Sequence, residues 1–431
     1  MRVGVAKRVI TPPPGTGLAG FAARADGARG VHDDLYARAL VLEEGDQRVA
    51  LILCDLCELD APFVARVRRR VEEAAGIPPA SVVVAATHTH GAPATVALCC
   101  APPDPIWLET LEHRAADAVA EARRTLAPAT AAAGRGREAS VGRNRRRPDG
   151  PVDPTVTVVR FDRDDAGPAS VVHYACHPTV LGPDNLLVSR DYVGFTIDAV
   201  ERETGGWSGF ANGACGDINV GHSIGQTVLG LPTPGRTFER AEALGLRLAG
   251  EAIRASRDAR PVGGKMASRR CTVRVPLRSV PEGEARSQMR AQRHTVDALA
   301  AAGATGDAVA EARLELFYAE AALQWAEQRP GPSEATEVQA VAVGDLALVA
   351  LPGEFFAESG QRLRTRSPFP YTLVIGYANG CLGYVPPASA FDEGGYETRL
   401  SPWSRVEPGA EAVVLDAAAG ILAELRDATS P

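Results

Sequence analysis

The chain has 431 residues, 45% hydrophobic and 23% charged, with a formal net charge of −7. That balance fits a globular enzyme with room for one large α/β unit, and it excludes the basic face of a nucleic-acid-binding protein. The one dense basic run, Arg143-Asn-Arg-Arg-Arg147, is too short to alter this.

In chain order, residues 3–10 alternate like a strand and stop at Pro12-Pro-Pro-Gly15. No apolar leader precedes them and no apolar run is long enough for a bilayer, which predicts a cytoplasmic chain without a stable membrane anchor. Eight cysteines, several in apolar strands and two adjacent (Cys99 and Cys100), predict reduced thiols rather than a disulfide framework. Nothing resembles a zinc knuckle, so any metal site has to use histidine and carboxylate. Residues 35–42 and 49–53 predict a strand pair. Residues 61–75 carry helical apolar spacing (Phe63, Val64, Val67, Val71), and residues 82–86 follow as a buried strand. Strand, helix and strand in that order make a βαβ unit and predict a mixed, largely parallel sheet with helices on both sides.

A helix follows at 106–126, then strands at 156–161 and 170–174, a helix from about 191, and a helix over 238–256. Residues 282–329, rich in Ala, Glu, Arg and Gln and broken at 303–306, predict a helical hairpin inserted into a single domain spanning 1–431. It reads as an edge-packed cover that leaves room for a homo-oligomer. Strands at 338–343, 347–351 and 372–376 and a terminal helix complete the pattern.

Three features put metal-capable side chains just after strands: His88-Thr-His90, His177 before Pro178, and Glu354 in Leu351-Pro-Gly-Glu-Phe-Phe356. Alternate residues of an extended segment face one side, so two imidazoles can converge. A carboxylate among apolar residues needs a cation or hydrogen bonds to be buried. Such a set, with a position left for water, suits a catalytic zinc. His32, His113, His173, His222 and His294 have nothing convergent around them and read as structural or solvated. An HxH pair also opens the sites of TIM-barrel amidohydrolases, but eight regular βα units are missing.

Ala86-Thr-His-Thr-His-Gly-Ala-Pro93 resembles the Ala-Thr-His-Thr-His-Ser-Gly-Pro motif of the neutral, non-lysosomal ceramidases. The resemblance continues in order through residues 30–41, Asn144-Arg145, Ala175-Cys-His-Pro-Thr179, Ser189-Arg-Asp191, Pro352-Gly-Glu-Phe355 with Gly360-x-Arg-Leu-Arg364, and Gly383-Tyr-Val385 followed by Tyr396-Glu397. It implies that family's catalytic-domain fold, with Zn2+ held by His88, His177, Glu354 and Tyr384. It further implies that His90, Arg145 and Tyr396 hold the scissile amide and the developing oxyanion; an imidazole at His90 could also pass a proton to the leaving amine. The chain departs from the pattern at Gly216-Asp-Ile-Asn219, where Asn219 replaces a serine once proposed as nucleophile. Asn219 is expected to donate a hydrogen bond, Asp217 to orient a ligand histidine, and Cys215 to be a core residue.

The resulting expectation is a zinc-dependent hydrolase of a small amide rather than of ceramide. Ester or lactone hydrolysis, or amide formation by acyl transfer, would use the same site. A non-catalytic binding protein on this fold is the alternative of another class. A second metal near Asp55, Asp191 or Asp217 stays open.

Overall fold

Asp60 ends the approach to the first long helix by accepting a hydrogen bond from the Phe63 amide at 2.7 Å, and Gly76, at φ +61°, closes that helix after Ala61–Ala75. These are the capping choices that satisfy orphan helix-end groups, with glycine supplying the left-handed turn. The helix joins the strands Gln47–Cys54 and Val82–Ala86, which pair in parallel as expected. A computed structural model describes residues 1–97, 101–164 and 167–429.

Two further units repeat the theme. Ala169–Tyr174, helix Asp191–Thr204 and Trp207–Asn212 form one parallel pair, and Leu346–Ala350, helix Ala357–Arg366 and Tyr371–Ile375 form the other. The strands are divided between two sheets. The larger runs, in order, Trp207–Asn212, Ala169–Tyr174, Thr155–Arg163, Ala127–Arg137, Arg2–Val9, Tyr36–Glu44, Gln47–Cys54 and Val82–Ala86. The smaller runs Met266–Pro276, Ser333–Val343, Leu346–Ala350, Tyr371–Ile375.

The larger sheet is mixed, as expected, but antiparallel pairs outnumber parallel ones in it. Only its two end pairs are joined through crossover helices, whereas neighbours such as Tyr36–Glu44 and Gln47–Cys54 are joined by a tight turn at Gly45 (φ +58°). A two-residue hairpin can link only antiparallel strands.

The sheets stack face to face, with helices on the two outer faces. Along Tyr36–Glu44, Ala37, Ala39 and Val41 face the helices, while Leu40 and Leu42 face the second sheet. This is the period-2 alternation of a strand buried on both sides. Between the sheets Leu51, Leu53, Phe161 and Val171 meet Val341, Leu346, Leu373 and Ile375. The terminal helix Ala410–Thr429 covers the far side with Val414, Leu422 and Leu425. Each such side chain removed from water contributes about 1.5–3 kcal/mol. Both sheets stay open, which sets aside the TIM-barrel alternative.

Helices Glu282–Ala301 and Asp307–Glu327 form the hairpin, between the paired strands Met266–Pro276 and Ser333–Val343. Ala285 is the one buried residue of its first helix. The second brings Phe317 to 5.8 Å from the Trp403 ring and Tyr318 to 6.5 Å from Tyr396, so the hairpin forms part of the wall around the tyrosines described below. Cys54, Cys176, Cys215, Cys271 and Cys381 are free thiols; Cys99 and Cys100 lie outside the described residues. Among the described residues no helix is long and apolar enough to cross a membrane.

Candidate metal centre

All three βαβ units open their carboxyl ends on one region, the position where α/β sheets place ligands. His88 follows Val82–Ala86, His177 follows Ala169–Tyr174, Glu354 follows Leu346–Ala350 and Tyr384 follows Tyr371–Ile375. The imidazoles therefore come from the larger sheet and the two oxygen groups from the smaller one.

His88 leaves its strand in the left-handed region, at φ +69°, with its amide donating to the Leu56 carbonyl at 2.8 Å. A non-glycine residue there is strained and needs surroundings that enforce it. Its Nδ1 donates to the Cys57 carbonyl at 2.7 Å, and its ring stacks on Tyr377 with centroids 3.9 Å apart. His177 is held the same way, its Nδ1 lying 2.8 Å and 2.9 Å from the Cys215 and Ile218 carbonyls. Those acceptors put the proton on Nδ1 and leave the Nε2 lone pairs facing inward. The two Nε2 atoms lie 3.5 Å and 3.1 Å from Oε2 of Glu354. The ligand atoms of His88, His177 and Glu354 all fall within 4.8 Å of one another, and all three residues are buried.

Tyr384 is brought beside Glu354 by a short parallel ladder in which the two are register partners. Its hydroxyl accepts from Nη2 of Arg145 at 2.9 Å. Arg145 is no solvated loop residue. Its Nε donates to Glu397 at 2.7 Å, its Nη1 lies 3.4 Å from Nε2 of His177, and its side chain is 3% exposed. Burial opposes its charge, but Tyr384 and Glu397 hold it well above the usual guanidinium range. Arg146 shares Glu397 at 2.8 Å. His90 points its Nε2 to 3.4 Å from that of His88, and Tyr396 lies across from Tyr384 with ring centroids 5.6 Å apart.

The electrostatics match a cation site. Burial, then the His177 charge, keeps His88 well below the ordinary imidazole range; burial, then Arg145, does the same for His177. Burial pushes Glu354 up to about 7 against the pull of Arg145. Two neutral imidazoles and a carboxylate with costly buried charge, plus a phenol, form a nitrogen–oxygen donor set that fits Zn2+.

Other expected residues do different work. Asn219 lines the adjoining cavity, yet its Nδ2 donates to the His222 carbonyl and its Oδ1 accepts from the Gly221 and His222 amides, so the amide locks its own turn. Asp217 does not reach a histidine: it accepts from Asn144 Nδ2 and the Ala357 amide, both at 2.8 Å, tying the Arg145 loop to a helix start. Backbone carbonyls orient the histidines instead. Cys215 is buried against the Tyr377 hydroxyl, 3.1 Å away, and burial pushes its thiol well up, as befits a core residue. Asp55 and Asp191 spend their carboxylates on the backbone amides of Tyr36, Leu181 and Tyr192. His173 bonds the Val374 carbonyl at 2.9 Å in the core, and His113 and His294 are exposed.

Sequence reasoning missed Glu58. It leaves the carboxyl end of Gln47–Cys54, the parallel neighbour of the His88 strand, and that adjacency was the available signal. It lines a cavity with His88, His90, Glu354, Tyr384, Tyr396 and Trp403. Burial, then the Glu354 charge, pushes it up to about 8, and the Cys381 thiol donates to it at 2.7 Å.

Residues 1–222, half of the chain, match the family described as neutral/alkaline non-lysosomal ceramidase, N-terminal. The chain belongs to this family. It is 25% identical to the neutral ceramidase of Mycobacterium tuberculosis (strain ATCC 25618 / H37Rv) over 465 residues, covering 91% of this chain and 72% of that protein. Its fold superimposes on the crystal structure of the neutral ceramidase from Pseudomonas aeruginosa with a TM-score of 0.79, at 21% identity, over 99% of this chain and 74% of that one. A ceramidase complexed with C2 gives a TM-score of 0.77 at 19% identity, over 99% and 75% of the two chains. Ceramidase membership supports a hydrolase of amides, and the shared fold is the two-sheet architecture described above.

Proposed function

We propose that the chain is a zinc-dependent amidase acting on a small polar amide. The observation that carries this is the convergence of His88, His177 and Glu354, whose ligand atoms lie within 4.8 Å of one another, with both Nδ1 protons taken by backbone carbonyls. Tyr384 is the fourth candidate ligand. Zinc held there would lower the pKa of a water to about 7 and polarise the carbonyl to be attacked.

The protein's own residues supply the rest. Arg145, fixed by Glu397, and Tyr396 line the cavity where negative charge would grow on the carbonyl oxygen. His90 lines both cavities, so its imidazole can deliver a proton to the departing amine. A polar substrate is favoured over a lipid because His222 and Arg236 line the second cavity with polar atoms that have no partner, and an acyl chain there would leave them unanswered. Ester hydrolysis and acyl transfer would pass through the same tetrahedral arrangement.

The test is metal analysis joined to an assay. The purified protein should bind about one zinc per chain and hydrolyse N-acyl test amides, and His88→Ala should lose both. A folded, metal-free and inactive native protein would overturn the reading in favour of a binding function.

A further inference from the structure

A second cavity shares His90, Tyr384, Tyr396 and Gly20 with the first and extends away from the metal cluster. Its far wall is built from Thr179, His222, Thr227 and Arg236. Two of these side chains have unanswered polar atoms. His222 is 5% exposed; its ring bonds the backbone of Val180, and its Nε2 is buried with no partner. Arg236 donates through Nη2 to the Thr227 hydroxyl, while its Nε and Nη1 are buried and unpartnered. Phe21 covers the guanidinium, with its centroid 5.7 Å away.

Buried polar groups are ordinarily satisfied, and a buried guanidinium without a carboxylate is costly. The charges around this wall make the deficit larger. Arg240, a second cation nearby, donates to the Val220 and Gly235 carbonyls, so it adds positive potential without taking an anion. Of the acids that act on Arg236, Asp184 and Asp191, the latter is spent on the Leu181 and Tyr192 amides. Among the described residues Arg236 has no ion pair. The wall therefore presents two cationic N–H donors and one imidazole acceptor to a space that begins beside the metal ligands.

We propose that this wall is a carboxylate subsite and that the substrates are N-acyl amino acids. The carboxylate meets Nε and Nη1 of Arg236, and a donor beside it, such as an amide N–H, meets Nε2 of His222. An acylated amino acid carries both groups: the N–H is that of the scissile amide itself, and the carboxylate lies one carbon away. Charge-assisted hydrogen bonds of this kind are about twice as strong as neutral ones, and losing one costs about tenfold to a hundredfold in specificity.

This assignment deepens the amidase reading and rests on it for the reaction, although not for the binding. The experiment compares zinc-loaded enzyme on N-acetylleucine and N-acetylleucinamide, which place a carboxylate or a neutral carboxamide at the subsite, with release of acetate as the readout. Native protein should favour the carboxylate in kcat/KM by at least about tenfold, through KM, and R236Q should abolish the preference while R236K restores part of it. Equal use of the two substrates, or a preference that survives R236Q, overturns the subsite. Should neither be cleaved, the amidase reading falls separately, and calorimetry with N-acetylleucine then decides: binding by the native protein that R236Q loses supports the subsite, and no binding by the native protein overturns it.

Discussion

Nε2 of His177 lies 3.1 Å from Oε2 of Glu354, although 177 positions separate the two residues in the chain. Inside the protein that carboxylate faces two lone pairs rather than two protons, a repulsion that a cation between them, or a proton on the carboxyl, relieves. Glu354→Gln keeps the shape and removes the charge. It should weaken zinc binding by at least about a hundredfold, yet make the metal-free protein more stable at pH 8 by on the order of 1–3 kcal/mol, since the ionised carboxylate no longer has to be buried. Thermal melts with and without zinc check both signs; a variant destabilised in both states would refute the assignment.

Glu58 gives a pH dependence. Its carboxyl is raised from 4.5 to about 8 by burial and by Glu354, so the folded protein holds a proton that the unfolded chain releases. Stability from this group is therefore full below about pH 4.5 and is lost as pH rises through about 8. Metal-free Glu58→Gln should lose less melting temperature than the native protein between pH 6 and pH 9.

Arg145 is gripped by Glu397 on one side and donates to Tyr384 on the other. Arg145→Lys keeps the charge but not the fork, and should lower kcat by about a hundredfold to a thousandfold with zinc content unchanged. Glu397→Gln leaves two buried arginines short of their carboxylate and should destabilise the fold by about 3–5 kcal/mol. Paired zinc analysis and denaturant titration separate the two effects.

Gly20 sits at φ +91°, and a Cβ there would stand 2.2 Å from Nδ1 of His90. Gly20→Ala should push that ring aside, reducing kcat while leaving zinc bound through His88 and His177. Loss of zinc in this variant would mean that His90 serves as a ligand.

Much of the site was legible because His88, His177 and Glu354 each follow an apolar strand, and strand ends are visible in a single sequence. Arg145 sits in a dense basic run, and its burial depends on Glu397, 252 positions away, which no local pattern discloses. The helix Ala61–Ala75 was readable to the residue from its apolar spacing and Gly76. The second sheet was not, because strands buried on both faces look alike whether a helix or another sheet covers them. Asp217 was misjudged for a related reason: a carboxylate near a histidine in sequence can as well cap backbone amides, and here it does.

The division of donors between the sheets has a mechanical consequence. With nitrogen coming from one slab and oxygen from the other, an ion bound there would act as a clasp across their shared rim. Stripping it should let the two slabs breathe apart at that rim first, so amide exchange after chelation would quicken at Leu56, His88 and Glu354 before it touches the apolar layer beneath.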